Sequence, residues 1–100
     1  MTTESNLEKV LKSGSFAVTS ECGPPRGADT EAIRKKGAFL KGYVDGVNVT
    51  DNQTSVVRMS SFSASLVLKE MGFDPVMQMV CRDRNRIAIQ SDILGAAALG

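Results

Sequence analysis

Three glycines at a regular spacing constrain the fold of this chain more than any other feature. Gly42, Gly72 and Gly100 each follow a stretch of helical period, and they are separated by 30 and 28 residues. Because glycine readily adopts the left-handed conformation that ends helices, each predicts a helix terminus. Each predicted helix follows a near-continuous apolar run, which is typical of a strand buried on both faces of a parallel sheet. The repeat length is that of a strand–helix unit.

The predicted elements alternate along the chain after an N-terminal helix. Residues 1–14 are assigned to this amphipathic helix, in which Ser5 and Glu8 have capping-box spacing. The predicted strands span residues 16–23, 44–52 and 75–81, and the helices that follow them begin near Thr30, Ser60 and Asn85. The last helix is expected to bury a stripe formed by Ile89, Ile93 and Ala96 or Ala97.

This alternation predicts an α/β fold with parallel strands, and residues 15–100 as the first three units of a (β/α)8 TIM barrel. Three strands cannot close a barrel, because about eight strands and roughly 250 residues are typical. We therefore expect a fragment of a longer protein. The alternative is a short chain whose sheet edge is covered by a partner. Three unrelated elements with an even spacing by chance are the competing interpretation.

Composition and missing residue types argue against several classes of function. The formal net charge is +1, so electrostatics give no support for binding to nucleic acid or an anionic membrane. No run of about 18 apolar residues and no signal-peptide core occurs. Histidine is absent, and Cys22 and Cys81 stand 59 positions apart, so no metal site and no Ser–His or Cys–His pair is expected. A reduced, cytoplasmic chain is the simplest interpretation.

Glu21 is the sharpest candidate for catalysis. Ligands of α/β proteins bind beyond the carboxyl ends of the strands, which selects residues 21–25, 50–52 and 78–85. Glu21 is a carboxylate in an apolar, small-residue strand just before the rigid pair Pro24–Pro25. Apolar surroundings favour a protonated carboxyl, which predicts a general acid near neutral pH. The alternative is a solvated glutamate at a strand end.

Polar residues at the other two strand ends are candidate ligand contacts. Thr50, Asp51 and Asn52 offer a hydroxyl, a carboxylate and an amide, although adjacent strand residues point to opposite sides. Turn-making and capping are the alternative, and they are favoured for Asn52. Gln78 interrupts an apolar strand, so it is expected to point into the barrel and to need a hydrogen-bond partner there.

The segment from Cys81 to Asn85 has alternating charges. Arg82 and Arg84 could attract a phosphate, or they could pair with neighbouring carboxylates and fix the loop. The second interpretation is favoured for Asp83 and Arg84, because alternating loop charges usually pair or are solvated. Neither a Gly-rich dinucleotide loop nor a P-loop occurs in the chain.

At these segments the sequence resembles the methylenetetrahydrofolate reductases. The matching stretches are TSECGPPRGAD, VNVTDN with the following RMSS, and MVCRDRNRIAIQSDILGAAALG, of which the last is the most specific. The similarity runs from about Leu7 to Gly100. It implies an eight-stranded barrel that holds a flavin, FAD or alternatively FMN. It also implies hydride transfer from NAD(P)H through the flavin to 5,10-methylenetetrahydrofolate, giving 5-methyltetrahydrofolate for one-carbon metabolism and methionine biosynthesis.

The resemblance also implies roles for individual residues. Glu21 matches the family's catalytic acid, which protonates the folate so that its methylene bridge opens to an iminium. Thr50 matches a threonine beside the flavin. Gln78 stands where some members have a flavin-contacting histidine, and an amide cannot titrate near neutral pH. The remaining predicted cofactor contacts are Asp51, Asn52 and Cys81. Later flavin-binding residues of the family would lie beyond Gly100, and the full-length enzyme is expected to be a homo-oligomer or to have a partner subunit.

Two other functions compete with this interpretation. One is a different (β/α)8 enzyme that binds a phosphorylated substrate through Arg82 or Arg84 and needs no flavin. The other is a non-catalytic subunit that docks onto another chain through the edge of its third strand.

Overall fold

The computed structural model describes residues 4–100, and residues 1–3 of the predicted N-terminal helix lie outside the described residues. The elements are α1 (Asn6–Lys12), β1 (Thr19–Cys22), α2 (Thr30–Leu40), β2 (Gly46–Val49), a 3-10 turn (Gln53–Ser55), α3 (Ser61–Glu70), β3 (Pro75–Met77) and α4 (Arg86–Ala98). Within residues 4–100, none of these helices combines the length and the apolarity needed to cross a bilayer.

The three strands form one parallel sheet in the order β1, β2, β3. β1 pairs with β2 from Thr19 opposite Gly46, and β2 pairs with β3 from Val47 opposite Pro75. Because α2 connects the first pair and α3 the second, each crossover is a strand–helix–strand unit. The prediction of an α/β fold with parallel strands is confirmed. Among the described residues the sheet is open, since the outer edges of β1 and β3 pair with no further strand.

Each strand is shorter than predicted. Phe16, expected near the start of the first strand, is 91% exposed, and β1 begins only at Thr19, where β2 lies alongside. Residues 50–52 and 78–81 leave the regular ladder and enter loops. The apolar runs extend further than the strands because strand length depends on pairing with a neighbour, which a single run does not reveal.

The core lies between the sheet and the two helices that cover it. Ile33 of α2 and Leu68 of α3 are fully buried in one cluster with Val47 and Val49 of β2. The strand β2 therefore lies at the centre of the core. Burial of such side chains is the main favourable contribution to folding, at about 25 cal/mol per Å² of apolar surface.

The predicted helix ends are confirmed by the backbone conformation. Gly42 and Gly72 follow α2 and α3 with φ of +84° and +91°, a region in which side-chain-bearing residues are strained. At the other ends, the side chains of Ser5 and Asn85 accept a backbone N–H from the first turns of α1 and α4. Helix ends could be predicted from the sequence because capping depends on residues that are close together along the chain.

The predicted buried stripe on α4 is wrong. Within the described chain no residue of α4 is buried, and Ile93 is 54% exposed, while Ile89 and Ala96 are half-buried and Ala97 is exposed. The helix approaches the side chain of Phe62 on α3. Its remaining apolar surface has no covering element among residues 4–100, because no strand lies beside the outer edge of β3.

α1 lies at the amino end of the sheet. The backbone N–H of Leu7 donates to Asp74 Oδ2 over 3.1 Å, and Asn6 Nδ2 donates to the carbonyl of Asp45 over 3.2 Å. Asp45 and Asp74 immediately precede β2 and β3. This end is therefore occupied by the chain itself, and the carboxyl ends of the strands lie at the opposite edge.

Candidate functional site

Three loops meet at the carboxyl edge of the sheet, because all three strands run in the same direction. They comprise residues 23–29, 50–60 and 78–85. This is the edge at which α/β proteins bind ligands. Every residue predicted for the site lies in one of these loops or in the strand that leads into it: Glu21, Thr50, Asp51, Asn52, Gln78 and Cys81.

The sheet has two different faces. Side chains alternate along a strand, so residues two apart share a face. The helix face, packed against α2 and α3, carries Cys22, Val47 and Val49. The open face carries Glu21, Asn48 and Val76, which lie opposite one another in the strand register. α1 packs against this face at its amino end, where Leu7 meets the buried Gly46.

Glu21 lies on the open face and is exposed. The expectation of apolar surroundings is therefore wrong for the described residues, because α1 packs against the open face at Gly46 and leaves Glu21 uncovered. Its neighbour across the ladder is Asn48. The carboxyl group can thus reach a molecule bound against the open face, and its role as an acid stays a prediction.

Asn48 was missed by the reasoning from sequence. Its Nδ2 donates to the carbonyl oxygen of Ser20 over 3.2 Å, which fixes the side chain beside β1. Since the amide nitrogen is used in this way, the amide oxygen is directed elsewhere. The signal was present, because Asn48 interrupts an apolar strand in the same manner as Gln78.

Thr50 carries a buried hydroxyl without a partner. The residue is 6% exposed, and within the described part of the chain its Oγ1 has no hydrogen-bond partner. A Cβ built on Gly23 would stand 3.7 Å from this oxygen. Burying a hydroxyl unpaired is unfavourable, so native proteins usually supply a partner. The hydroxyls of Ser20 and Ser65 and Nε of Arg58 are unpaired in the same way. A ligand would reach the Thr50 hydroxyl only if the loop that carries Gln53, whose Nε2 lies equally close to Gly23, moved aside.

Asp51 is held by the protein itself. Its side chain is 0% exposed, and its Oδ2 accepts the backbone N–H of Val80 over 2.8 Å. Both oxygens also accept from the guanidinium of Arg84, in a bidentate pair. Burial opposes ionisation, but the hydrogen bonds from Arg84 and Val80 and the nearby positive charge outweigh it, so the pKa of Asp51 lies below its ordinary value. Contact between Asp51 and a cofactor stays a prediction.

Asn52 makes the turn that follows β2. Its backbone is left-handed, with φ of +42°, and its Oδ1 accepts the N–H of Arg58 over 2.9 Å. Arg58 Nη1 in turn donates to the carbonyl of Pro24 over 3.2 Å. Asn52 and Arg58 therefore join the loops that follow β1 and β2. Arg58 was not recognised from sequence as a residue of this edge, because its partners lie in distant loops.

Gln78 and Cys81 are exposed at the end of β3. The backbone of Gln78 is held on both sides: its N–H donates to Val49 over 3.0 Å, and its carbonyl accepts from the hydroxyl of Ser61 over 2.7 Å. The Cys81 thiol is free. Both side chains can reach a ligand at this edge, and their assignment as cofactor contacts stays a prediction.

The charges after Cys81 are paired, as the favoured interpretation predicted. Arg82 Nη2 lies 2.8 Å from Asp83 Oδ2, and Arg84 binds Asp51. Arg82 also donates to the carbonyl of Asn52 over 3.2 Å. In residues 4–100 no group of three His, Cys, Asp or Glu side chains is close enough together to hold a metal ion.

Comparison with known proteins identifies the family. No curated protein and no solved structure matches the chain. The family model described as Methylenetetrahydrofolate reductase matches residues 6–100, which includes all three strand–helix units and the whole carboxyl edge. The resemblance carried by TSECGPPRGAD, VNVTDN and CRDRN is thereby confirmed. The chain therefore belongs to the methylenetetrahydrofolate reductase family, a family of oxidoreductases.

Proposed function

We propose that this chain supplies the acid and part of the flavin site of an enzyme that reduces 5,10-methylenetetrahydrofolate to 5-methyltetrahydrofolate. The observation that carries the proposal is the open face of the sheet. There a carboxylate, Glu21, stands beside Asn48 and near the carboxyl edge, where the buried hydroxyl of Thr50 has no partner among the described residues. Family membership supports reduction of a folate.

The proposal includes a barrel of which this chain forms the first part. The groove beside β3 supports it. Within residues 4–100 the outer edge of β3 is unpaired, and a groove of about 590 Å³ runs between β3, α3 and α4. Its lining includes Phe62, Val76 and Ala97, which offer apolar contacts to a neighbouring strand. A fourth strand in this groove would continue the sheet, and closure of the barrel would turn the open face inward.

A flavin fits the residues that are present. The Thr50 hydroxyl has no partner and can donate to a polar ring edge once the neighbouring Gln53 side chain moves aside, and Gly23 adds no side chain of its own beside it. Thr50 and Gln78 would hold the flavin, with Asn52 and Cys81 in the adjoining loops. When bound, a flavin supplies the hydride after reduction by a donor such as NAD(P)H. The proposal also includes a cytoplasmic location and an oligomer or a partner subunit.

Glu21 is proposed to donate a proton to a nitrogen of the folate. Protonation weakens the bond between this nitrogen and the bridging methylene, so the bridge opens to an iminium that can accept hydride. Glu21 becomes a carboxylate in this step and regains a proton from solvent. Asn48, next to it in the register, is close enough to bind the same substrate. An acid positioned in this way accelerates a reaction by roughly 10²–10⁴-fold.

The alternative enzyme, which would bind a phosphorylated substrate, is less well supported by the geometry. Arg82 and Arg84 are the cations that would bind the anion, and both are paired with carboxylates, those of Asp83 and Asp51. A phosphate would have to displace these carboxylates, and in the case of Asp51 it would leave a buried negative charge uncompensated.

The test is Glu21→Gln in the natural protein that carries this sequence. We expect the purified variant to be yellow, to be reduced by nicotinamide at the parent rate, and to lose roughly 10²–10⁴-fold in folate reduction. Glu31→Gln, which changes an exposed carboxylate on α2, is the matched control and should leave both activities unchanged. Folate reduction by Glu21→Gln at the parent rate would contradict the acid assignment, and a colourless parent protein would contradict the flavin.

A further inference from the structure

The Asp51 side chain extends the ladder between β2 and β3 beyond its regular end. The last regular bond runs from the N–H of Gln78 to the carbonyl of Val49 over 3.0 Å. In a parallel ladder the next donor is two residues further on, at Val80. The N–H of Val80 donates over 2.8 Å to the carboxylate of Asp51, in place of a backbone carbonyl. A side chain therefore keeps the two chain segments together where the strands have ended.

Arg84 closes this arrangement from the other side. Its guanidinium binds both oxygens of Asp51, and its Nη1 also donates to the carbonyl of Val80 over 2.8 Å. Both polar groups of the Val80 residue are thus held by one ion pair. The Nε atom of Arg84 also lies 3.7 Å from Oδ2 of Asp92 on α4. With side-chain exposures of 0% and 16%, Asp51 and Arg84 are shielded from water, and a planar fork on a carboxylate permits little rotation.

The pair lies directly behind the residues proposed to bind flavin. Thr50 precedes Asp51, and Gln78 comes two residues before Val80. Thr50 and Asp51 share the backbone that leaves β2, so a fixed Asp51 also limits rotation of the Thr50 side chain. Rotation of the segment after β2 would move the Thr50 hydroxyl away from Gly23. The position of this hydroxyl therefore depends on the ion pair.

We propose that Asp51 and Arg84 are positioning residues, which fix Thr50 and Gln78 for the flavin without touching it. The inference rests on the proposed function and replaces the predicted direct cofactor contact of Asp51. Its physical reason is that both carboxylate oxygens of Asp51 are already bound to Arg84. Placement errors of about 1 Å reduce catalysis by as much as roughly 10²-fold, so such a pair affects rate without contacting substrate.

The experiment uses three variants of the natural protein. Asp51→Asn keeps an acceptor for the N–H of Val80 and removes the negative charge. Arg84→Lys keeps the positive charge and removes the planar guanidinium that binds both oxygens of Asp51. The double variant Asp51→Asn/Arg84→Gln leaves no unpaired buried charge and is expected to fold even where a single variant does not. Asp83→Asn, which alters an exposed carboxylate in the same loop, is the control.

Three readouts separate positioning from general support of the fold: the Kd of the apoprotein for flavin, hydrogen exchange at the Val80 amide, and kcat per folded molecule. We expect the single variants to bind flavin at least about 10-fold more weakly, to exchange Val80 faster and to lose roughly 10–100-fold in kcat. The double variant should show the same losses, and the control should show none.

Two results would overturn the inference in different ways. Folded variants with parental flavin Kd and kcat would show that the pair only stabilises the fold, while the proposed function would stand. A parent protein that neither binds flavin nor reduces folate would overturn both, because there would then be no flavin for Thr50 and Gln78 to meet.

Discussion

The two faces of the sheet differ in how much of each is covered by other elements of the described chain. On the helix face, Val47 and Val49 are fully buried against α2 and α3. On the open face, Glu21 is exposed, Asn48 is hydrogen-bonded to the neighbouring strand, and the contact with α1 lies at the amino end, between Leu7 and Gly46. The helix face is therefore where the chain gains stability. The open face carries polar groups that contribute less to stability than the buried side chains of the helix face, which is typical of a binding surface.

Three changes test this comparison, and the largest effect is expected on the helix face. Leu68→Ala removes a fully buried side chain from the core. We expect the free energy of unfolding of the natural protein to fall by about 2–5 kcal/mol, measured by urea titration. The folded fraction should retain parental kcat. A loss of kcat in fully folded Leu68→Ala protein would mean that the two faces are not functionally separate.

The second change is Asn48→Ala on the open face. We expect kcat/KM for the folate to fall roughly 10-fold, because one hydrogen bond to the substrate is lost, while the free energy of unfolding changes by about 1 kcal/mol. Asn6→Ala is a matched control: Asn6 donates to a carbonyl over the same 3.2 Å at the amino end of the sheet. Equal activity of the two variants would remove Asn48 from the site.

The smallest expected effect is on the pH dependence of stability, and the change that tests it is Asp51→Asn. The pKa of Asp51 is lowered in the folded protein, since the hydrogen bonds of Arg84 and Val80 outweigh the opposing effect of burial. Its contribution to stability is therefore present above the ordinary aspartate pKa of about 3.9 and is lost as pH falls through the lower folded value. We expect urea titrations of Asp51→Asn to show a shallower loss of stability below about pH 4 than the parent. If the parent and Asp51→Asn lost stability equally as the pH falls below about 4, the buried ion pair between Asp51 and Arg84 would be contradicted.

Much of the fold could be predicted because its signals are local. Gly42, Gly72 and Asn85 mark helix ends through their own backbone and side-chain chemistry, and an apolar run after each loop indicates a strand. The stripe on α4 and the surroundings of Glu21 could not be predicted correctly. Both depend on which surface is covered, and this is a property of the neighbouring elements rather than of the segment itself.

The sequence predicted where the site residues lie, but it predicted only some of the contacts that they make. The rule that ligands bind at the carboxyl edge selected Glu21, Thr50 and Gln78 without knowledge of their contacts. It could not reveal that Asp51 binds Arg84, which is 33 positions away, because that contact depends on the strand register and on the course of two loops. The alternating charges after Cys81 correctly predicted that the charged residues of this loop are paired, but they did not identify Asp51 as the buried partner of Arg84.

The most direct test of the account is a crystal structure of the natural protein with bound 5-methyltetrahydrofolate. The account predicts that the folate lies against the open face, with a carboxylate oxygen of Glu21 within about 3.2 Å of a folate nitrogen. A folate bound at another surface, with Glu21 facing bulk water, would contradict it.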